Sequence, residues 1–567
     1  MTKKWWKEGI VYQIYPRSYY DSNEDGIGDL RGVIDKLDYL KELGVDIIWL
    51  NPVYQSPNAD NGYDVSNYFR IMDEFGTMED FDELLEAAHQ RGIRLIMDMV
   101  LNHSSDEHDW FIKSSSSKDN PYRDYYIWRE GKNGKEPNNW QSAFGGSAWQ
   151  YDAKTKEYYL HVYAVKQPDL NWENPKLRKE AHNIVRWWLD KGIDGFRMDA
   201  ISSLSKVQEF PDDNKPLEKF RRRIGSRYYI NGPRIHEYLQ EMNREVFSKY
   251  NIVTIGEATE VTAENAYLYV DEKRHELDIM IHFQLMEVDY GDGGKLDIVP
   301  WKLKDFKAIM YKWYVELKDR GWAALYLNNH DQPRMVSRFG NDREYRVESS
   351  KMLATLLHTW SGTPFIYQGE EIGMTNVAFD NISDYNDIET VNMYNEKIKQ
   401  GYTHERLMQI VHKTSRDNAR TPMQWDSGVN AGFSKGKPWM KLNPNFKTIN
   451  VEESIHDTDS IFHYYQKLIK LRKENSVIVY GDLRLILEDH DHIFAYIRMM
   501  GQETILVILN FFDQNEHFVL PSDIKYRNLK LLLCNYQNND VDKIENVFLR
   551  PYEARIYKFT GIEICPN

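Results

Sequence analysis

Short apolar runs rich in β-branched residues alternate along most of this chain with longer, charged amphipathic stretches. VYQIYPR at 11–17 precedes IDKLDYLKELG at 34–44, and DIIWLNP at 46–52 precedes MEDFDELLEAAHQRG at 78–92. IRLIMDMV follows at 93–100, and KLRKEAHNIVRWWLDKG at 176–192 leads into GFRMDA at 195–200. IVTIGEA (252–258), LDIMIHF (277–283), AALYLNN (323–329) and TPFIYQG (363–369) complete the series. Short apolar runs read as buried strands, and stretches with a 3.6-residue period read as helices. About eight strands alternating with helices predict an α/β fold, a (β/α)8 TIM barrel.

Two segments interrupt the pattern. Residues 104–174 are polar and rich in Asn, Ser, Gly and aromatics, which predicts a subdomain inserted after the third strand. A second insertion, about 375–455, precedes a last barrel helix at DSIFHYYQKLIKLRKEN, 459–475. Beyond about 480 the period falls to two in IFAYIRMM and TILVILNFF, the pattern of a C-terminal antiparallel β-sandwich domain. The expected division is therefore a barrel of 1–103 and 175–480, a subdomain of 104–174 and a β domain of 481–567.

Composition narrows the partners. The net charge of -15 at pH 7 argues against nucleic acid and anionic membranes, which require a basic face. No run approaches the roughly 18–20 apolar residues of a membrane helix, and MTKKWWKEGIVYQ is no signal peptide. These features point to a cytoplasmic protein; a monomer or weak homo-oligomer is expected, though nothing in these features sets the oligomeric state. The two cysteines, Cys534 and Cys565, make neither a disulfide framework nor a CxxC metal site. Aromatics reach 14%, a content that serves core packing and also suits the C–H faces of sugars.

Barrels of this kind carry their chemistry at the C-terminal ends of strands. Strand three ends in DMVLNH (Asp98, Asn102, His103), strand four in GFRMDA (Arg197, Asp199) and strand five in GEA (Glu257). Strand seven ends in NNHDQPR (His330, Asp331). Carboxylates from several strand ends, with an arginine and two histidines, would converge on one mouth. Retaining cleavage of a glycosidic bond needs such a set: one ionised carboxylate as nucleophile and one protonated carboxyl as acid. Arg197 lies two residues before Asp199, so on a strand both point the same way, and the guanidinium favours an ionised Asp199. Glu257 has no basic neighbour in sequence, which makes it the better acid.

DMVLNH, GFRMDA, GEA and NNHDQ resemble the four short motifs of the α-amylase superfamily of glycoside hydrolases, family 13. QPDLN at 167–171 resembles the additional motif of its oligo-1,6-glucosidase and α-glucosidase branch. The resemblance extends to WWKEGIVYQIYPRS near the N-terminus and RTPMQW at 420–425. It implies that Asp199 is the nucleophile, Glu257 the acid/base and Asp331 the transition-state stabiliser. His103 and His330 would contact the bound glucose, Arg197 would stand beside the nucleophile, and Asp98 would support the site. Asp60 and Tyr63, in NADNGYDV, resemble pocket residues at the non-reducing end, and Arg416 the partner that closes the pocket with Asp60. Phe144, Tyr163 and Gln167 would line it; many members of the branch carry Phe where Tyr163 stands. A closed pocket implies an exo-acting α-glucosidase that takes short oligosaccharides.

DSNEDGIGDLRG at 21–32 looks like a calcium loop, but its twelfth position is Gly32, so it is no EF-hand. Side chains of Asp21, Asn23, Asp25 and Asp29, with the Ile27 carbonyl, would give a hard cation oxygen ligands. The branch often has such a structural Ca2+ loop, with Gly common where Glu24 stands, and the resemblance implies no organic cofactor. After the nucleophile comes Ala200. In the branch, Val there accompanies α-1,6 preference and Ala or Thr α-1,4 activity, so the expectation is α-1,4, maltose-type substrates. Isomaltose-type substrates, sucrose hydrolysis or isomerisation, and a disaccharide phosphate remain open, although the arginine-rich RLDRD-like segment of sucrose isomerases is absent. A non-catalytic sugar-binding or transporter-associated protein would have lost the acid/base set and carried a membrane helix.

Overall fold

The computed structural model describes residues 3–217, 223–537, 544–560 and 563–564, so Cys565 lies outside the described residues. Eight parallel strands form the centre: β1 (Val11–Ile14), β2 (Ile47–Leu50), β3 (Arg94–Val100), β4 (Gly195–Asp199), β5 (Val253–Ala258), β6 (Ile279–His282), β7 (Ala324–Leu325) and β8 (Thr363–Tyr367). Their order is β6-β5-β4-β3-β2-β1-β8-β7, and a Met280–Ala323 bridge spans the remaining gap to close the barrel nearly completely. Strand seven, expected over 323–329, is ladder-paired only at Ala324–Leu325, because β8 is its one ladder neighbour and β6 touches it through that single bridge.

Apart from Arg94 at the start of β3, the strands are buried from end to end, as continuous apolar runs in a parallel sheet must be. Helices cover them for reasons visible locally. Helix α1 (Met78–Gln90) starts at a capping box in which Thr77 and Asp80 exchange hydrogen bonds. Helix α2 (Pro175–Lys191) has Asn174 as N-cap, Pro at its first turn and Gly192 ending it in the left-handed conformation, φ 105°. Its Leu177, Ile184, Val185 and Trp188 are buried, and an aromatic of that size contributes about 1.5–3 kcal/mol of burial. Trp188 also donates its indole N–H to the Tyr68 carbonyl at 2.9 Å, so its one polar group is satisfied.

Between β3 and α2 the chain forms a small antiparallel sheet of Trp128–Arg129, Glu157–Leu160 and Trp149–Asp152, in that order. The second excursion, between β8 and the last barrel helix, contains helices that include α3 (Ile388–Lys399). After α4 (Ile461–Glu474) comes the C-terminal unit. Its five-stranded antiparallel sheet runs Asp482–Ile486, Ile493–Met500, Glu503–Asn510, Ala554–Thr560 and Asn528–Cys534, with two further two-stranded ladders. Among the described residues no helix is long and apolar enough to cross a membrane.

Candidate active site

Register brings the carboxylates together. Asp98 on β3 pairs with Arg197 on β4, and Arg197 pairs with Ile255 on β5, two residues before Glu257. Arg197 is 1% exposed and donates Nη1 to Asp98 Oδ1 at 2.7 Å and to Asp199 Oδ1 at 2.6 Å. Its Nη2 pairs with Glu257. The absence of a basic neighbour to Glu257 therefore holds along the chain and not in space: one guanidinium serves both carboxyls. Burial pushes Asp199 and Glu257 each up to about 7, against the pull of Arg197. Two such coupled carboxyls can hold one proton between them near neutrality, leaving one ionised and one able to donate.

Asp98 is wholly buried and accepts from Trp49 Nε1 (2.9 Å), Asn51 Nδ2 (3.0 Å) and the Tyr63 hydroxyl (3.2 Å), so it supports Arg197 from beneath. Tyr63 stacks on His330 with ring centres 5.4 Å apart. Gln13 Nε2 lies 2.7 Å from His330 Nδ1, which therefore accepts, and His330 Nε2 faces the Tyr63 hydroxyl at 2.7 Å and Asp331 at 3.2 Å. Burial alone would raise the Asp331 carboxyl, but His330, Arg416, Arg420 and Arg197 outweigh it and hold it well below the ordinary carboxylate range. Asp331 is thus a firm anion beside a pair that shares a proton. Burial drives His103 down to about 4 and His330 to about 3, so both imidazoles are neutral near pH 7.

The expected pair of Asp60 and Arg416 forms, with Nη2 3.3 Å from Oδ1. Gln167 donates to Asp60 Oδ2 at 3.2 Å and lies 3.1 Å from His103 Nε2. Arg416 also reaches Asp331 at 3.2 Å and Asp387 at 2.7 Å, and its guanidinium lies 5.1 Å from the Phe144 ring centre. Phe144 meets Tyr163 edge-on, and Tyr163 meets His103. A cavity of about 370 Å³ is lined by Asp60, Tyr63, His103, Phe144, Tyr163, Asp199, Glu257, Asp331 and Arg416. Gln167, Arg197 and His330 stand behind that wall and reach it through the bonds just given. Sequence reasoning missed Asp387 and Arg420, which hold Arg416 and Asp331 in place.

It also missed the outer half of the cavity: Arg223, Thr259, Glu260, Phe283, Met286, Glu287, Tyr290, Lys295, Gln332 and Glu389. Phe283 and Thr259 each directly follow the last residue of a barrel strand, a signal that was available. Lys295 Nζ bonds Glu389 Oε2 at 2.6 Å across 94 residues of sequence, which no spacing rule reveals. Ala200 does not line the cavity. It leaves β4 in the left-handed conformation, φ 44°, is 1% exposed, and donates its amide to Glu257 Oε2 at 3.1 Å. The α-1,4 expectation drawn from Ala200 therefore gains no support from a contact of its side chain with the cavity.

The loop at 21–29 folds on its own amides. Asp21 Oδ1 accepts from Asn23 (3.0 Å) and Glu24 (2.8 Å), Asn23 from Asp25 (3.0 Å), and Asp25 from Ile27 (2.8 Å). Asp29 accepts from Gly32 (2.7 Å) as a helix N-cap. Gly26, at φ +91°, packs so close to Lys437 that a Cβ would lie 1.8 Å from its carbonyl oxygen. Donors at 21, 23, 25, 27 and 29 are all oxygens, the type a hard cation takes. Among the described residues no three His, Cys, Asp or Glu side chains are grouped to hold a metal ion.

Residues 13–481 match the family described as alpha amylase, catalytic domain, and residues 483–556 match that described as maltogenic amylase, C-terminal domain. An oligo-1,6-glucosidase of Parageobacillus thermoglucosidasius is 60% identical over 98% of this chain and 99% of its own. The crystal structure of Bacillus licheniformis trehalose-6-phosphate hydrolase superposes with a TM-score of 0.93 at 48% identity, covering 99% of this chain and 100% of that one. Isomaltulose synthase from Erwinia rhapontici NX5 gives 0.95 at 45% identity, with 99% and 100% covered. Strand-end carboxylates around one buried arginine and matches across nearly the whole chain lead to one conclusion: this protein is a glycoside hydrolase of the α-amylase family, family 13.

Proposed function

We propose that this enzyme is a retaining, exo-acting α-glucosidase that removes the terminal glucose of short α-1,6-linked oligosaccharides. The observation that carries the mechanism is the single buried guanidinium of Arg197 shared by Asp199 and Glu257 at the cavity wall. Asp199 is assigned as the nucleophile because GFRMDA resembles the family motif that carries it; Arg197 serves both carboxyls and keeps one of them ionised. Its carboxylate attacks the anomeric carbon while Glu257 gives its proton to the departing glycosidic oxygen. Water then attacks the glucosyl-enzyme ester as Glu257 takes back a proton, and the α configuration is restored. Asp331, held ionised by Arg416 and Arg420, faces the positive charge that develops on the ring. Asp60, Arg416 and Gln167 close the inner end, so one terminal glucose fits and the chain cannot thread past.

The α-1,6 assignment rests on the name of the 60% identical relative. The α-1,4 expectation rested on Ala200, which is not at the cavity surface. For the oxygen ligands of the 21–29 loop we infer a structural Ca2+ remote from the chemistry; the all-oxygen donor set supports it. The test of the function is kcat/KM for isomaltose, maltose, sucrose and trehalose 6-phosphate under one set of conditions. Isomaltose is expected to lead. Maltose ahead of it by tenfold returns the enzyme to α-1,4 chemistry, and trehalose 6-phosphate in the lead replaces the substrate class.

A further inference from the structure

The floor of the barrel, where β1, β2 and β3 begin, holds a second cleft of about 430 Å³. Lys3, Arg94, Arg472 and Lys473 line it against two acids, Glu8 and Asp46, in a chain of net charge -15. Both acids already have partners. Asp46 Oδ1 accepts from Lys473 at 2.7 Å and Oδ2 from the Ile10 amide at 3.0 Å, and Glu8 accepts from the Tyr480 hydroxyl at 3.1 Å.

Arg472, at the end of α4, is 1% exposed and donates only to carbonyl oxygens: Gly362 at 2.7 Å, Lys7 at 3.1 Å and His358 at 3.3 Å. Arg498 behind it is likewise buried and bonds only the carbonyls of Thr359, Val479 and Gly481. The Nε of each is buried without a hydrogen-bond partner, and among the described residues neither guanidinium meets a carboxylate. Burial, then the charge of Arg498, draws Arg472 down to about 9. Asp46 and Glu8 act on Arg472, and Asp482 on Arg498, only from beyond contact distance, and two adjacent buried cations with no carboxylate in contact are costly; the cost falls when a counter-ion sits beside them.

We propose that this floor cleft binds a phosphate-type oxyanion, either inorganic phosphate or a phosphate monoester, over Arg472. Lys3 and the remaining N–H groups of Arg94, which already pairs with Asp194 at 2.8 Å, and of Lys473, which pairs with Asp46, supply charge-assisted donors at its rim, and guanidinium forks suit phosphate oxygens. Such an ion would tie the start of the chain to the barrel floor and α4. Its effect would fall on stability, since the catalytic cavity opens at the opposite ends of the strands.

The experiment titrates the full-length enzyme with sodium phosphate and, at matched ionic strength, sodium chloride, and reads melting temperature and calorimetric binding. A saturable rise with phosphate and none with chloride is expected, because a ligand of the native state stabilises by mass action. Arg472→Gln risks misfolding, so the deciding variant is Lys473→Ala, whose side chain is 38% exposed. It should weaken phosphate binding at least fivefold and leave kcat unchanged. Glucose 6-phosphate, run in parallel, separates the sources: comparable or tighter binding indicates a monoester, and binding of phosphate alone the free ion. The proposal is overturned if phosphate and chloride curves coincide, if Lys473→Ala binds phosphate as wild type does, or if saturating glucose abolishes the response and so places the ion in the catalytic cavity.

Discussion

The two ends of the catalytic cavity are built differently. At the inner, glucose end, two buried arginines each hold three carboxylates: Arg416 holds Asp60, Asp331 and Asp387, and Arg197 holds Asp98, Asp199 and Glu257. At the outer end, Phe283, Met286 and Tyr290 mix with the Lys295–Glu389 pair on loops and the second insertion. A network in which one guanidinium fixes three carboxylates is pre-organised for one ligand and one reaction. A rim of loop residues can vary without disturbing it. Solved structures at TM-scores above 0.9 are named a trehalose-6-phosphate hydrolase and an isomaltulose synthase, and a 60% identical sequence relative is named an oligo-1,6-glucosidase, which is the spread of names that a variable rim around a fixed inner end allows.

Breaking the inner end should have the largest effects. Asp199→Asn and Glu257→Gln are each expected to lower kcat by about 10²–10⁴-fold, the range for losing an acid/base or nucleophilic group, with circular dichroism unchanged. A variant that keeps more than about a tenth of wild-type kcat, a difference of only ~1.4 kcal/mol, would remove that residue from its role. Next is Arg416→Ala, which takes their cation from the buried Asp60 and Asp387 and leaves Asp331 with Arg420 alone. Breaking a buried pair costs about 3–5 kcal/mol, so kcat/KM should fall at least 100-fold, and Arg416→Lys should not restore it because one ammonium cannot replace the fork. Full activity in the lysine variant would show that charge alone closes the pocket.

The outer end should respond more gently and in selectivity instead of rate. Glu389→Gln releases Lys295 from its 2.6 Å partner and leaves a cation at the mouth. The ratio of kcat/KM for trehalose 6-phosphate to that for isomaltose should rise, on the order of 1–3 kcal/mol at most. An unchanged ratio, or an equal fall on both substrates, would put Lys295 outside leaving-group selection. Smallest, and away from both ends, is the 21–29 loop. Calcium added to chelator-stripped enzyme should raise the melting temperature by a few degrees, and Asp21→Ala should abolish the response. Identical melting of stripped and loaded enzyme would leave Asp29 as a helix cap and the loop without an ion.

What was legible in the sequence follows the same division. Asp98, Asp199 and Glu257 sit in the last residues of barrel strands, and Asp331 in the segment that follows β7, where a barrel must direct its chemistry, so periodicity pointed to all four. The barrel itself was legible because parallel strands, buried on both faces, read as unbroken apolar runs. Asp60 and Arg416, 356 residues apart, were paired only through family resemblance. Asp387 escaped because it belongs to an insertion with no period to mark which face turns inward, and Arg420, although it opens RTPMQW, because nothing along the chain shows that it reaches Asp331. Arg197's reach to Glu257 was hidden because strand adjacency, not chain adjacency, sets it. The left-handed turn at Ala200 was equally hidden, since an alanine carries no sign of a positive φ.

The central claim is that Asp199 attacks and Glu257 donates, in two displacements at one anomeric carbon. The most direct measurement is NMR of the glucose anomer formed in the first seconds of isomaltose hydrolysis, before mutarotation. The account predicts α-glucose as the first product, drifting later toward the equilibrium mixture; β-glucose appearing first would mean a single displacement by water and would contradict it.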